Sequence, residues 1–363
     1  MVLRRNIFLT AIALSLFGIV MIYSASSYSA NLQYGDEFYF VKKQILAFIV
    51  GVTMLLICSK FNLVILNKLK WPLYIFGIGL LVIVLIPGIG SSVYGATRRI
   101  DVGFFSFQPS EIAKFSLIIL SAGIISIHPP LTVLNIFITM IPSIIMCVLV
   151  MLEPNMSITV CIALTMAIMT IAGGLSYRAT FIIGLTGLLS IPLLIIAEPY
   201  RLKRLMAFLN PWDSPQGDGY QLIQSYFAIG SGGILGVGLF QSNSKYLYLP
   251  FAESDFIFSI IAEELGLIGC VITVLVYIIY ITTGFIIAIK THDKFKSLLA
   301  LGITSLVGIQ TLVNIAVVTG SIPPTGLPLP FISAGGSSLI VFLAATGILM
   351  NIESSNRRTC FEC

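Results

Sequence analysis

Long apolar runs broken by short polar stretches set the pattern of this chain. A bilayer-spanning helix needs about 20 predominantly apolar residues. The charges divide the sequence into about ten such runs, at about 6–26, 43–59, 72–89, 111–127, 132–152, 156–174, 179–197, 256–289, 297–319 and 333–351. The eighth is longer than a bilayer requires, which predicts that it tilts, breaks, or extends beyond the membrane. The expected fold is therefore all-α, a polytopic membrane protein with about ten transmembrane helices in a single domain over residues 1–363. A large outer loop is expected at about 198–254, between spans seven and eight, and a cytoplasmic tail at about 352–363.

Two connections are too polar or too broken to span. Residues 90–110, "GSSVYGATRRIDVGFFSFQPS", mix Gly, Arg and aromatics. Residues 198–254 form one long non-spanning region, and a connection of that length usually carries function. It opens with "EPYRLKRLMAFLNPW", where Arg201 and Arg204 share a helix face and Leu205, Met206, Phe208 and Leu209 can dip into the interface. That pattern predicts a basic amphipathic segment lying on the membrane. "DSPQGDGYQ" then reads as turn-rich. The glycines of "SGGILGVGLFQS" fit no nucleotide-binding fingerprint, having neither a preceding strand nor a closing Lys-Ser/Thr; they predict close backbone approach or a re-entrant turn. In "SIPPTGLPLPFISAGGSSLI" the prolines forbid a continuous helix and predict a kinked start to the last span. No internal repeat is evident, which disfavours the repeat-built secondary transporters.

Composition agrees with the pattern: 57% of residues are hydrophobic and only 10% charged, which excludes a soluble globule. "MVLRR" with the later "SYSA" has the outline of a signal peptide. The apolar run is long and more spans follow at once, so residues 6–26 are read as a retained first span. With Arg4 and Arg5 inside, the inner loops carry Lys60, Lys68, Lys70, Arg178, Lys290, Lys294 and Lys296, and both termini are cytoplasmic. The outer side nonetheless holds Arg98, Arg99, Arg201, Lys203, Arg204 and Lys245, with Lys114 just inside a span. Outer cations against the topological rule suggest an anionic ligand at the outer face. Cys58, Cys147, Cys161 and Cys270 fall in spans as small apolar fillers, and Cys360 and Cys363 form one C-x-x-C in a tail expected to be disordered. His128 and His292 are too few and too separated for a metal site or a hydrolase triad. No nucleic-acid partner is expected.

The candidate chemistry lies in carboxylates. "LPFAESDFIFSIIAEELG" places Glu253, Asp255, Glu263 and Glu264 at the mouth and inside of the eighth span, where an ionised side chain costs at least ~2.5–3.5 kcal/mol. Asp255 and Glu263 are eight residues apart, roughly 12 Å along a helix, so Asp255 sits at the outer boundary. There a carboxylate can act as general base, while Glu263 and Glu264, deeper, are expected to pair with a cation or cap a broken helix. Glu111 and Lys114 are spaced i,i+3 and can pair. Basic groups beside a boundary carboxylate suit chemistry with a phosphate leaving group. Two classes remain open on these residues: an enzyme consuming a lipid-linked phosphate at the outer leaflet, or a transporter of an anionic or lipid substrate.

"RRIDVGFFSFQPSEIAKF", "RLKRLMAFLNPWDSPQGDGYQLIQSYFAIGSGGILGVGL", "YLPFAESDFIFSIIAEELGLIG" and "PPTGLPLPFISAGGSSL" closely resemble the SEDS family of shape, elongation, division and sporulation proteins, in the same order over about residues 95–345. "NPWDSPQGDGYQ" and "NIAVVTGSIPPTG" look more like the division (FtsW) and sporulation (SpoVE) branches than the elongation (RodA) branch. The resemblance implies a glycosyltransferase of the bacterial cytoplasmic membrane that polymerises lipid II into peptidoglycan at the outer face, with inversion and loss of undecaprenyl diphosphate. It also implies a class B penicillin-binding transpeptidase as partner. Asp255 matches the family's essential aspartate and would be the general base. Arg98, Arg201, Arg204 and Lys245 match basic outer-loop positions that would hold diphosphates, and Arg99 beside Arg98 joins the candidate binding residues. Glu111 and Lys114 match a polar pair flanking the cavity; Gln221, Gln224 and Ser225 match "GYQ..QS"; Ser333, Gly335, Gly336 and Ser337 match the last-loop signature. No cofactor is evident, and a divalent-cation requirement is left open. The chain departs from the family at Asn155 (usually Asp), at Phe251 and Glu253 (usually "LPE" and "HTD"), and at Ala334 (usually Tyr). A lipid II flippase and a non-catalytic scaffold of the division or spore-cortex machinery stand as alternatives to the polymerase.

Overall fold

A helix occupies each of the ten apolar runs in the computed structural model, which describes residues 2–87, 90–93, 96–102, 105–196 and 199–361. The side chains of 91–98, 101–106, 188, 191, 193–195, 199–201 and 357–361 lie outside the described set, and so does the Cys360–Cys363 pair. The helices are α1 (Val2–Tyr34), α2 (Tyr39–Cys58), α3 (Leu63–Lys68), α4 (Lys70–Leu85), α5 (Pro109–Ile127), α6 (Val133–Leu152), α7 (Met156–Ala172), α8 (Tyr177–Ile196), α9 (Pro199–Leu209), α10 (Tyr220–Gly232), α11 (Ile257–Lys290), α12 (Lys294–Val318) and α13 (Gly336–Phe361). Among the described residues, seven (α1, α2, α5, α6, α11, α12 and α13) are long and apolar enough to cross a membrane, and α4 and α7 are shorter apolar helices.

The sequence pattern foresaw neither α3 nor α10, nor the small antiparallel sheet of β1 (Ser91–Val93), β2 (Ala96–Val102) and β3 (Phe105–Phe107). The connection at 198–254 is thus partly helical: α9 matches the predicted amphipathic segment, and α10 packs on α11. The last helix starts at Gly336, three residues later than the hydropathy suggests. Pro323, Pro324, Pro328 and Pro330 keep the preceding chain out of helix, and it folds inward, with Leu327, Leu329 and Phe331 buried.

Within lipid there is no hydrophobic drive between helices, so close packing of small residues and buried polar bonds does the work. α5 is the centre: every residue from Ala113 to Ile125 is buried, as expected of a helix apolar on all sides. α2 and α13 approach through Gly51, against Leu343, and Gly347, against the Leu55 carbonyl. Gly77 lets α4 rest on Ser116 and Ala113 of α5.

α11 is the long eighth run, and it is broken. Gly266 adopts φ 63° and ψ −164° inside it, a region essentially closed to residues with a side chain. Four of the backbone groups at the break bond to the glycine-rich stretch after α10. Val237 N donates to Glu263 O (2.9 Å) and Gly238 N to Glu264 O (3.1 Å); Leu267 N donates to Gly233 O (3.0 Å) and Ile268 N to Ile234 O (3.2 Å). Non-helical backbone at membrane depth persists only where protein satisfies it in this way.

Candidate functional site

Asp255 stands in the turn just before α11, half-buried, where the helix N-terminus favours a carboxylate. Its backbone is pinned from two sides. The Glu253 carbonyl accepts from Ala334 N (2.9 Å), the Ser254 carbonyl from Ser333 Oγ (2.6 Å), and the Asp255 carbonyl from Asn314 Nδ2 (2.8 Å). Three consecutive carbonyls are therefore held by donors from the last loop and α12. Asn314 also donates to Leu327 O (2.7 Å), and Ser333 Oγ accepts from Leu329 N (2.7 Å), so one network fixes both the Asp255 turn and the proline-rich loop. The carboxylate lies over Gly326: a Cβ there would be 3.3 Å from Asp255 Oδ2. Burial pushes the neighbouring Glu253 carboxyl above its usual range; a backbone hydrogen bond opposes this and the Asp255 charge reinforces it.

A second buried network lies between α5, α12 and α13. Lys114 Nζ donates to Glu111 Oε1 (2.9 Å) and Gln310 Oε1 (3.0 Å), Gln310 Nε2 to Pro328 O (2.9 Å), and Ser338 Oγ to Glu111 Oε2 (3.3 Å). Glu111 and Lys114 are each about 1% exposed. Gln108 N donates to Ser337 Oγ (3.3 Å), while Gln44 accepts from Gly335 N and donates to Ser333 O, both at 3.3 Å. The last-loop signature is thereby joined to α2, to the start of α5 and to the Asp255 turn.

The third cluster lies deeper. Glu263 Oε2 accepts from Ser242 Oγ (2.6 Å) and its Oε1 from Asn243 N (2.9 Å) and Ser244 N (3.4 Å). Glu264 Oε1 accepts from Ser24 Oγ (2.5 Å) and Ser242 N (3.2 Å) and lies 3.6 Å from Lys245 Nζ. Both carboxylates cap the loop at 242–244, and Glu264 alone also pairs with a cation, Lys245. Lys245 corrects an expectation. It is buried, donates to the Phe240 carbonyl as well as facing Glu264, and so points inward rather than presenting its ammonium at the outer face.

The remaining candidates fall in several places. Arg204 Nη1 donates to Pro324 O (3.2 Å), tying α9 to the proline-rich loop. Gln221 Nε2 donates to Pro250 O (3.2 Å), and Gln224 is half-buried one turn on. Ser225 is fully buried against Ser259 Oγ (2.8 Å) and Val318 O (2.7 Å), a packing position. Arg99 is exposed on β2 opposite Ser91. Arg98 is on β2 and Arg201 on α9, with side chains outside the described set. Gly336 opens α13, where a Cβ would be 3.5 Å from Ala47.

The departures have local readings. Asn155 caps α7 by accepting from Ile158 N (3.4 Å), a task Asn performs about as well as Asp. Ala334 bonds Glu253 through its backbone, whatever its side chain. Phe251 has φ 55°.

Sequence reasoning missed Asn314, Gln310, Gln44, Ser24 and Ser242. Asn314 and Gln310 carried a signal, two amides spaced i,i+4 in an otherwise apolar span, where polar groups mark functional contacts.

The chain as a whole has counterparts among known proteins. A family model described as a cell cycle protein, FtsW/RodA/SpoVE, matches residues 4–358. A probable peptidoglycan glycosyltransferase FtsW of Geobacter sulfurreducens is 39% identical over 353 residues, covering 96% of this chain and 94% of its own. Stage V sporulation protein E of Bacillus subtilis is 37% identical over 344 residues, 94% of each chain. Among solved structures, a chain from work on the structural coordination of polymerization and crosslinking by a peptidoglycan synthase complex superposes with a TM-score of 0.80, at 27% identity over 96% of this chain and 97% of that one. The rod shape determining protein RodA of Thermus thermophilus shares the fold, with a TM-score of 0.73 at 24% identity over 96% of each chain. The chain is a multi-pass membrane protein that belongs to the FtsW/RodA/SpoVE family.

Proposed function

We propose that this protein is a peptidoglycan glycosyltransferase that polymerises lipid II at the outer face of the bacterial cytoplasmic membrane, with both termini cytoplasmic. A class B penicillin-binding transpeptidase is its partner, crosslinking the glycan it makes. The observation that carries the reading is Asp255, a half-buried carboxylate at a helix N-terminus whose turn is fixed at three successive carbonyls. Such fixation suits a general base, which must be held within hydrogen-bond reach of the hydroxyl it deprotonates. The name of the FtsW relative at 39% identity supports the same activity.

In the reaction, the 4-hydroxyl oxygen of one GlcNAc forms a bond to C1 of MurNAc on a second lipid II. The C1–oxygen bond to the diphosphate breaks, its electron pair leaves with undecaprenyl diphosphate, and the hydroxyl proton passes to Asp255. Attack from the face opposite the leaving group inverts C1. Arg98, Arg99, Arg201 and Arg204 are the cations assigned to the diphosphates, neutralising charge as it develops. Against transport, the deep polar groups Glu263, Glu264, Lys245, Glu111 and Lys114 are engaged with one another and with protein backbone, leaving them unsuited to line a path for a headgroup.

The test is the purified protein with its transpeptidase and labelled lipid II. Glycan chains from the wild type and none from Asp255→Ala are expected. Undiminished polymer from Asp255→Ala would overturn the base assignment, and lipid translocation without polymer would favour a flippase.

A further inference from the structure

Between α10 and Asp255 the chain makes one strapped loop, residues 237–255, and its fastening is the pair Glu263–Glu264. Two backbone bonds from Val237 and Gly238 hold its start to the Glu263 and Glu264 carbonyls. Both carboxylates then reach back to its middle: Glu263 takes the Ser242 hydroxyl and the amides of 243 and 244, and Glu264 takes the Ser242 amide. Lys245 closes the loop by lying against Glu264 and donating to the Phe240 carbonyl. Further along, Leu249 N bonds Ser244 O (2.9 Å) and Gln221 holds the Pro250 carbonyl, and six residues after Leu249 comes Asp255.

The loop is not relaxed. Phe240, Leu247 and Phe251 have φ of 65°, 67° and 55°, left-handed conformations that bulky side chains adopt only when their surroundings impose them. Phe240, Leu247 and Phe251 are all exposed, while the buried carboxylates and Lys245 bind the loop at 240 and at 242–244.

We infer that Glu263, Glu264 and Lys245 are positioning residues: they set the reach of Asp255 through the loop, and Lys245 serves this ion pair rather than the substrate diphosphate. The inference rests on the reading of Asp255 as the base. A loosened strap displaces the base, which lowers turnover steeply, since a misplacement of about 1 Å can cost about 100-fold. It leaves the diphosphate-binding cations alone, so the KM for lipid II holds.

The experiment measures kcat and KM for lipid II, per folded enzyme, in the complex with its transpeptidase, for Glu263→Gln, Glu264→Gln, Lys245→Met and the double variant Glu264→Gln/Lys245→Met. Each single change is expected to lower kcat about 10-fold or more with KM within about 2-fold. The double variant, which removes the uncompensated buried ammonium, is expected to recover at least about 5-fold in kcat over Glu264→Gln. If Glu264→Gln does not fold, Glu263→Gln and Lys245→Met carry the kcat and KM comparison. A rise in KM of about 10-fold in Lys245→Met would overturn the inference by making Lys245 a substrate ligand. Wild-type kcat in every folded variant would overturn it by leaving the cluster a purely structural role. Failure of the base reading itself is separate, and shows as polymer made by Asp255→Ala.

Discussion

Replacing Gly266 by Ala puts one methyl group into the seam where α11 breaks. Two costs follow. The backbone at φ 63°, ψ −164° is strained for any residue with a Cβ, by about 1–3 kcal/mol. The new Cβ would also stand 2.5 Å from the Ile234 carbonyl oxygen and against the Gly236 amide, so the two segments must move apart. Four backbone hydrogen bonds cross that seam, from Val237, Gly238, Leu267 and Ile268. Losing two of them at about 0.5–1.5 kcal/mol each brings the total to roughly 2–6 kcal/mol. Gly35→Ala is the control: φ is 67°, and nothing lies within 4 Å of its Cβ, so it pays only the left-handed penalty of about 1–2 kcal/mol. The assay is unfolding of the detergent-solubilised protein by heat or by titrated denaturant. Gly266→Ala should unfold well before Gly35→Ala. Equal stability of the two would refute the claim that the break is held by close approach of two backbones.

Lys114→Met should cost about 3–5 kcal/mol, because it strands the Glu111 carboxylate in the interior; adding Glu111→Gln should restore part of that in the same unfolding assay, and no recovery would count against the pair. Asn314→Leu removes the amide donor to the Asp255 and Leu327 carbonyls, at about 0.5–1.5 kcal/mol each. Its polymerisation rate should fall at least about 10-fold, and a wild-type rate would remove Asn314 from the site. The Glu253 carboxyl has its folded pKa raised above the ordinary 4.5. The protonated form is therefore favoured by folding: the stabilisation is complete below about pH 4.5 and is lost as pH rises through the raised folded value. Glu253→Gln should accordingly gain stability relative to wild type between pH 4.5 and pH 7 in paired melting curves, and a constant difference across that range would contradict the burial of Glu253.

Hydropathy made the ten helical runs legible because each is long and apolar, and Asp255 was legible because a carboxylate at the mouth of such a run is costly. The break in α11 was foreseen only as one of three ways to house a long run. Nothing local to "AEELGLIG" distinguishes a helix that tilts from one that stops at Gly266, since the partner that satisfies the break lies about thirty residues earlier. α10 escaped because "YQLIQSYFAIGSG" is too short to span and sits between turn-rich and glycine-rich stretches. Lys245 was misplaced for the opposite reason. Its position in a polar loop predicts exposure, and only the fold shows Glu264 arriving from within to bury it.

The same seam at Gly266 bears on how the chain assembles in the membrane. An isolated 257–290 segment crossing the bilayer alone would keep its own i to i−4 bonds and run straight, because no other donor or acceptor is available in hydrocarbon. The break can form only by exchange, when residues 233–238 arrive and trade bonds with 263–268. The final shape of this helix, and of the turn bearing Asp255, therefore depends on residues 233–238 lying beside it.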